Sequence, residues 1–568
     1  MTDKVIIYQV FTRLFGNRNT TRKRWGSIEE NGTGKLADFD LKTLRSIKNM
    51  GVSHIWYTGV IRHATQTDYS ASGIPTQHGA VVKGRAGSPY AICDYYDIDP
   101  DLAVDTDKRM EEFEALVERT HEAGLKMIID FVPNHVARQY KSIAKPKGVV
   151  DLGENDDLNM GFSPRNNFYY CCGSHFEPYF DKRTGICDGD YVPDAKEEYD
   201  EYPCKATGND HFDNHPGRDD WYETVKLNYG MDYWAHWGYF DPVPDTWEKM
   251  TDILLFWASK GVDGFRCDMA EMVPANFWSY ATARVKKQYK NMIFIGEVYN
   301  PAEYRNYIAS GFDYLYDKVG MYDAMRAVIC GFAPAHCITQ NWQSVDDIHS
   351  HMLFFLENHD EQRVASDFFA GDALKGIPAM VASVLMKESP LMLYAGEEYG
   401  EKGMDEEGFS GRDGRTTIFD YWSIDTLCRA SEGKLTDEEK YIYSMHVKAM
   451  QIARNEKAVD GDFYDVMYVN FDNPDFNPDK QYAFFRKKGG ELLFVVVNFD
   501  ENEAKIKVRI PAHMMDFHNI PERKFKAEDL ISEESQDIVL QADGVVPMTV
   551  PGYGARVWKM TCHENGRK

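Results

Sequence analysis

Eight short, mostly apolar runs, separated by segments of helical periodicity, recur over about 400 residues and limit the folds available to the chain. The runs are continuously apolar, which indicates strands buried on both faces and therefore a parallel sheet. Eight strand–helix units predict a (β/α)8 barrel. A doubly wound open sheet is the alternative, but no glycine-rich phosphate loop follows the first run. The runs lie at residues 5–11, 52–60, 125–135, 262–268, 291–299, 312–317, 351–360 and 390–398.

Two segments depart from this alternation and predict the domain layout. Residues 137–240, rich in Tyr, Asp, Gly and Cys, are too long for a βα loop, so we interpret them as a subdomain inserted after the third strand. After about residue 456 the pattern changes to alternating strands, which predict a C-terminal antiparallel β-sandwich over 456–568. An α/β barrel of the TIM type then comprises residues 1–136 and 241–455.

Composition and charge exclude several classes of partner. The formal net charge of -26 argues against nucleic acid, whose binders carry a basic surface, and against anionic lipid. Neither an export leader nor an apolar stretch of roughly 20 residues is present in the sequence, so we expect a cytoplasmic protein that does not enter a membrane. The 10 cysteines are accordingly expected to be reduced. The sequence does not indicate an oligomeric state.

Charged side chains stand where several predicted strands end, and the stretch GVDGFRCDMAEMVP (261–274) is the clearest case. An unpaired buried charge is costly, so Arg266 and Asp268 at the end of a buried strand require an explanation. Residues i and i+2 of a strand point the same way, and barrels carry their reactive groups at the carboxyl ends of strands. Other strand ends supply Asn134, His135, Glu297, His359 and Asp360.

Three of these residues are carboxylic acids, which we expect to converge on one barrel mouth: Asp268, Glu297 and Asp360. A neighbouring arginine favours the ionised form of an acid, as a nucleophile requires. Two carboxylates that flank a bond can act as nucleophile and general acid/base in glycoside hydrolysis. Each acid alone could instead be a helix N-cap or a solvated loop residue. Together they could bind magnesium, although the arginine and the histidines disfavour a site for metal alone.

Four segments, DFVPNH, GFRCD, GEVY and ENHDEQR, resemble in order and spacing the four conserved segments of the α-amylase family, glycoside hydrolase family 13. The predicted layout of barrel, insertion and C-terminal sandwich is also similar to that family. The resemblance implies that Asp268 is the nucleophile and Glu297 the general acid/base. It implies that Asp360 binds substrate hydroxyls and stabilises the distorted sugar.

The same resemblance implies five substrate-binding residues. Arg266 would hold the nucleophile ionised, and the others would contact the sugar or line its cavity: His135, His359, Tyr90, which would stack on the sugar ring, and Arg363. Tyr90 could otherwise be an ordinary packed aromatic, and Arg363 could form a plain surface salt bridge. The segment VKLNYG (225–230) is similar to a short segment of neopullulanases and cyclomaltodextrinases.

Calcium is the metal that the resemblance leaves open. Asn134 matches a position that binds Ca²⁺ in many members, but Glu271 and Met272 replace the Lys-His pair that often follows the nucleophile, whose histidine helps to hold that ion. We therefore predict no required cofactor or metal. Glu271 could face the leaving-group side of the cleft, or could simply start a helix.

These motifs predict a retaining hydrolase that cleaves α-1,4 bonds of maltooligosaccharides or starch-derived dextrins. A transglycosylase or phosphorylase with the same acids is the first alternative, since the covalent intermediate can be intercepted by different acceptors. A non-catalytic carbohydrate-binding protein is the remote alternative, disfavoured because all three acids are present.

Overall fold

Eight parallel strands form the central sheet of the computed structural model. The structure describes residues 2–186, 191–193, 195–403, 408–409 and 411–562. In chain order the strands are β1 Ile6–Phe11, β2 His54–Thr58, β3 Lys126–Phe131, β4 Gly264–Cys267, β5 Ile293–Gly296, β6 Tyr314–Tyr316, β7 Met352–Leu353 and β8 Leu391–Tyr394.

The sheet closes on itself and forms the predicted barrel. Its strand order is β7-β6-β5-β4-β3-β2-β1-β8. Phe354, directly after β7, forms a parallel bridge to Leu391 of β8. Its carbonyl accepts the Met392 N–H at 2.8 Å, and its own N–H donates to Pro390. The β7–β8 gap is thus bridged, and the (β/α)8 prediction is confirmed.

Helices connect successive strands and cover the barrel. Asp40 caps one of them by accepting the Thr43 N–H, and Thr436 and Glu439 form a capping box on the longest. The helices longer than one turn are Leu41–Asn49, Arg109–Glu122, Asp245–Ser259, Ala275–Gln288, Tyr304–Ala309, Asp323–Ile329, Cys337–Ser344, Ile377–Leu385, Asp425–Ser431, Asp437–Asn455 and Ala512–Phe517.

Apolar and aromatic side chains from seven of the eight strands fill much of the interior of the barrel. They form a separate buried cluster that includes Ile7, Trp56, Ile128, Ile295, Tyr316, Leu353 and Met392. The remaining strand, β4, places Arg266 inside the barrel, where it is 0% exposed. Arg266 does not stand there alone, because the buried Asp130 of β3 is in register with it and places Oδ1 3.8 Å from its Nη1.

Between β3 and the helix Asp245–Ser259 the chain forms short antiparallel ladders in place of a simple loop. Two of these ladders pair Tyr170–Cys171 with Cys204–Lys205 and Met231–Asp232 with Trp237–Gly238. A third pairs His135–Ala137 with Thr224–Lys226 and so joins the end of the insertion to the segment after β3. The boundaries 137–240 stay a prediction.

The C-terminal region is an antiparallel β domain, as predicted. Gly489 and Gly490 form a two-residue hairpin turn, for which Gly489 adopts a positive φ of 56°. A six-stranded sheet lies beside a two-stranded one. The strands are β9 Asp462–Asp465, β10 Gln481–Lys488, β11 Glu491–Asn498, β12 Ala504–Ile510, β13 Arg523–Asp529, β14 Ser535–Leu540, β15 Gly544–Val550 and β16 Gly554–Thr561.

Two further predictions concern the cysteines and membrane segments. The cysteines of the described ranges, which leave out Cys187, are free thiols. Within those ranges, none of the helices combines the length and apolar character needed to cross a bilayer.

Candidate active site

Arg266 is the centre of the site. Its guanidinium carbon lies 5.2 Å from the ring centroid of Trp56, 5.4 Å from that of Tyr90 and 5.5 Å from that of Tyr316. These rings surround the cation and exclude water from it. In such surroundings the cation is stabilised by its aromatic neighbours and by anions.

The two carboxyls nearest to Arg266 come from two adjacent strand ends. Cys267 of β4 is in register with Gly296 of β5, so the next residues, Asp268 and Glu297, leave the barrel side by side. Nη1 of Arg266 donates to Asp268 Oδ1 at 2.7 Å, and Nη2 donates to Glu297 Oε2 at 2.8 Å. A single guanidinium group thus contacts both acids that the sequence predicts to be catalytic.

Glu297 accepts two more hydrogen bonds. The backbone N–H of Met269 donates to Oε2 at 2.8 Å, and the hydroxyl of Tyr299 donates to Oε1. Met269 follows the other acid directly and holds a positive φ of 43°, which is rare for a residue with a side chain. The unusual backbone conformation of Met269 thus accompanies the hydrogen bond that joins the segment after Asp268 to Glu297.

Asp360 faces the same guanidinium group from the loop after β7. Its Oδ2 lies 4.0 Å from Arg266 Nη2 and 3.1 Å from Nε2 of His359. The Tyr90 hydroxyl bonds to the same His359 nitrogen, and Gln9 contacts the other ring nitrogen at 2.8 Å. β7 ends at Leu353, so His359 and Asp360 lie in the loop after the strand, not at its end as predicted.

Arg363 holds this loop from behind. Its Nη1 donates to Glu357 Oε2 at 2.8 Å, Nε to Thr416 and Nη2 to the carbonyl of Ala395. It is 0% exposed and does not belong to the described cavity lining. Arg363 thus lies outside the described cavity lining, and its role in substrate binding stays a prediction. The alternative of a surface salt bridge differs from the structure, because the Glu357 pair is buried.

His135 belongs to the short ladder after β3, not to the strand itself, which ends at Phe131. Its Nε2 lies 3.9 Å from Asp268 Oδ2, and its ring centroid lies 5.2 Å from that of Trp221. Burial, with Lys226 and Lys83 nearby, lowers the pKa of His135 to about 3. Burial also lowers the pKa of His359 well below its usual range. Both imidazoles are therefore neutral at physiological pH.

Asp268 is under opposing influences. Burial raises the pKa of Asp268 well above its usual value, Arg266 opposes that rise, and the carboxyls of Glu297 and Asp360 add to it. Arg266 therefore lowers the pKa of Asp268 but does not fully offset the effect of burial in the free site. The prediction from the sequence took only the effect of the arginine into account.

The acids open into a cavity of about 220 Å³. Five predicted residues line it: Tyr90, His135, Asp268, Glu297 and Asp360. Arg266 and His359 stand behind them and act through contacts with the lining. The lining also includes residues that the sequence analysis did not single out: Lys83, Ser88, Trp221, Glu223, Thr224, Met269, Tyr299, Ile418 and Phe419. Tyr299 could have been found by the i and i+2 rule from Glu297, whereas Lys83 and Glu223 lie outside the predicted strand ends.

The surroundings of Asn134 do not fit a calcium ion. Its Oδ1 accepts a hydrogen bond from Lys226 Nζ at 2.7 Å, and its Nδ2 donates to the carbonyl of Gly208. Lys226 also pairs with Asp210 at 2.5 Å. A calcium ion at this amide oxygen would face an ammonium group, so the lysine already supplies the positive charge there.

Glu271 lies behind the acid that the sequence assigns as general acid/base. Its Oε2 accepts the backbone N–H groups of Tyr299 at 2.8 Å and Asn300 at 3.0 Å. The side chain therefore anchors the segment that follows Glu297. Glu271 also lies in the first turn of the short 3-10 helix Ala270–Met272, as the helix-starting interpretation expects, and it does not belong to the described cavity lining.

A closed (β/α)8 barrel with two carboxyls at neighbouring strand ends provides the pair of acids that glycoside hydrolases use. The family model for the α-amylase catalytic domain matches residues 9–460. The chain therefore belongs to the α-amylase family, as the four sequence segments predicted.

Individual relatives are distant. The α-amylase MalA of Haloarcula japonica is 25% identical over 410 residues, which cover 71% of this chain and 45% of that protein. α-Amylase 3 of Dictyoglomus thermophilum is 24% identical over 470 residues, which cover 79% and 76% respectively. The chain thus spans less than half the length of the first of these relatives.

Among solved structures, a maltogenic α-amylase from Thermotoga neapolitana superposes with a TM-score of 0.63 over 98% of this chain and 99% of that chain. The two are 19% identical, so the likeness concerns the fold.

Proposed function

We propose that the protein is a retaining α-glucan hydrolase that cleaves α-1,4 bonds of maltooligosaccharides or starch-derived dextrins through a covalent glycosyl–enzyme intermediate. The observation that carries this proposal is the contact of one guanidinium group with both Asp268 and Glu297. A shared arginine limits the separation of the two carboxyls. It favours the roughly 5 Å spacing of retaining enzymes over the wider gap that an intervening water requires.

In the first step Asp268 bonds to the anomeric carbon as the bond from that carbon to the leaving oxygen breaks. Glu297 gives its proton to the departing oxygen. In the second step Glu297 takes a proton from a water molecule, which attacks the same carbon and releases Asp268. Arg266 supports the ionised form of Asp268 against the cost of burial.

The other lining groups suit a sugar whose ring gains positive charge in the transition state. Asp360 can accept hydrogen bonds from hydroxyl groups, and the Tyr90 ring can pack against the sugar face. His135 is neutral, so it can hydrogen-bond a hydroxyl without repelling the developing charge, and the neutral His359 supports Tyr90 and Asp360 from behind. The absence of a required metal and a cytoplasmic location stay predictions.

A time course with maltoheptaose, with and without inorganic phosphate, followed by NMR, tests the proposal. We expect shorter products, with the newly formed reducing end appearing first as the α-anomer. First appearance of the β-anomer would contradict retention. Glucosyl phosphate or longer chains would instead indicate a phosphorylase or transglycosylase, and binding without chemical change would indicate a non-catalytic protein.

A further inference from the structure

A second charged pair lines the same cavity and takes no part in the mechanism above. Lys83 Nζ lies 2.9 Å from Glu223 Oε1, and the two side chains are only 13% and 5% exposed. Within the described ranges Glu223 Oε2 is buried and has no hydrogen-bond partner. A buried carboxylate oxygen without a partner is costly, and it points to a donor that is present only when the cavity is filled.

Both members of the pair are held in place. The Lys83 ammonium lies 5.6 Å from the ring centroid of Tyr222 and 5.9 Å from that of Phe419. Glu223 directly precedes the strand Thr224–Lys226, and its carbonyl accepts the Arg138 N–H at 3.1 Å. The pair is thus a fixed donor and acceptor, which suits adjacent sugar hydroxyls.

The contacts place the pair away from the leaving group. Glu297, which would protonate the departing oxygen, is contacted by Arg266, Met269 and Tyr299. Neither Lys83 nor Glu223 makes a hydrogen bond or ion pair with those four residues in the described part of the chain. Glu223 instead directly precedes the strand Thr224–Lys226, which pairs with His135–Ala137, and His135 Nε2 lies 3.9 Å from Asp268 Oδ2. The pair is therefore connected to the side of the cavity where Asp268 would hold the glycosyl unit.

We propose that Lys83 and Glu223 bind hydroxyls of the terminal, non-reducing glucosyl unit, so that the protein removes single sugars from chain ends. This rests on the proposed hydrolase function. A terminal unit has a free 4-hydroxyl that can donate to Glu223, whereas a continuing α-1,4 chain has an ether oxygen there and leaves the carboxylate unpaired. The cavity of about 220 Å³ is also smaller than the roughly 300–1,000 Å³ of common ligand pockets.

The same pair disfavours an anionic ligand. Glu223 neutralises Lys83 and would repel a phosphate group in the cavity. The pair therefore supports a neutral sugar as its ligand.

Two matched substrates test the proposal: 4-nitrophenyl α-maltoheptaoside with its non-reducing end free, and the same compound with that end blocked by a 4,6-O-ethylidene group. Chromatography should show loss of one glucose at a time from the free substrate. Hydrolysis of the blocked one should be at least roughly 100-fold slower, because a site built around a hydroxyl rejects the analogue that lacks it. Internal cleavage of both at similar rates would overturn the end-specific site but leave the hydrolase intact. Cleavage of neither, with no conversion of maltoheptaose, would reject the hydrolase and with it this proposal.

The variants Glu223→Gln and Lys83→Met separate recognition from structure. We expect kcat/KM on the free substrate to fall about 10–100-fold and the preference for free over blocked ends to shrink. The matched control is Glu154→Gln, because Glu154 forms a more exposed ion pair with Lys145 at the same 2.9 Å distance. Equal losses on both substrates, with an unchanged preference, would show that the pair only supports the fold and would refute its role in recognition.

Discussion

Arg266 holds Glu297 as closely as it holds Asp268, with donor–acceptor distances of 2.8 and 2.7 Å. The strand pattern placed Arg266 with Asp268 alone, because the i and i+2 relation operates within one strand. The contact with Glu297 arises from the register between β4 and β5, and the pattern of one strand gives no information on that register.

Arg266→Lys tests this double contact. A lysine ammonium cannot hold two carboxyls in the geometry of a planar fork, so kcat/KM at neutral pH should fall more than roughly 100-fold. The lysine should counteract the effect of burial less than the arginine does, so the pKa of Asp268 should rise further. The acidic limb of the pH–kcat/KM profile should therefore move to higher pH. Arg305→Lys, in an exposed pair with Asp347, is the control. An acidic limb at the wild-type pH would refute the role of Arg266 in ionising Asp268.

Asp268→Asn tests the assignment of the nucleophile. The amide cannot form the glycosyl–enzyme bond, so turnover should fall by several orders of magnitude, while maltooligosaccharide binding measured by calorimetry should persist. Added azide, a small anion that can attack the anomeric carbon in place of the carboxylate, should restore some cleavage of an activated nitrophenyl glucoside and yield the β-glycosyl azide. Wild-type turnover in this variant would show that Asp268 is not the nucleophile.

The same variant should be more stable than the wild type at neutral pH. Burial raises the folded-state pKa of Asp268 above its unfolded value of about 3.9, so the ionised side chain destabilises the folded protein at pH values above that value. Asparagine removes this cost, and Tm at pH 7 should rise by on the order of 1 °C per kcal/mol. The difference should shrink as pH falls through the folded-state pKa and disappear below the unfolded value of about 3.9, where the acid is protonated in both states. A Tm gain that is independent of pH would contradict this explanation.

The sequence predicted the parts of the site that depend on strand ends and left out those that depend on loops. Asp268 and Glu297 directly follow β4 and β5, so their positions follow from the apolar runs alone. The buried pair of Arg363 was not predicted, because its partner Glu357 is recognisable only once the loop is folded. Lys83 and Glu223 are 140 residues apart in the chain and meet only through the insertion, which no periodic pattern describes.

Glu271 should act through Tyr299 as a positioning residue. Its carboxylate fixes the backbone of Tyr299, whose hydroxyl donates to Glu297. Glu271→Ala and Tyr299→Phe should each lower kcat roughly 10–100-fold with a smaller effect on KM, and Glu271→Gln should restore much of the loss because it keeps an acceptor oxygen. The double variant should be no slower than the slower single variant, since both act on one unit. Additive losses would show that Glu271 acts independently of Tyr299.

Arg363 should matter for stability more than for binding. Arg363→Ala leaves Glu357 buried without its cation, which should cost about 3–5 kcal/mol and lower Tm. Lys145→Ala, which breaks a partly exposed pair with Glu154, should cost no more than about 1 kcal/mol. In Arg363→Lys, KM for maltoheptaose should stay near the wild-type value. A large rise in KM with unchanged Tm would show that Arg363 lines the cavity and contacts the substrate.

Chelation should leave the protein active, because the Lys226 ammonium already occupies the position that a calcium ion would need beside Asn134. Protein dialysed against EDTA should keep its activity on maltoheptaose and its Tm. Lys226→Met should lower Tm, because the Asn134 amide oxygen and the Asp210 carboxylate both lose their buried donor, at about 1–3 kcal/mol for each group left unpaired. Its activity should also fall, because Asn134 contacts Nδ1 of His135, which lines the cavity. Loss of wild-type activity in EDTA with recovery on added Ca²⁺ would show that the metal binds in spite of the lysine.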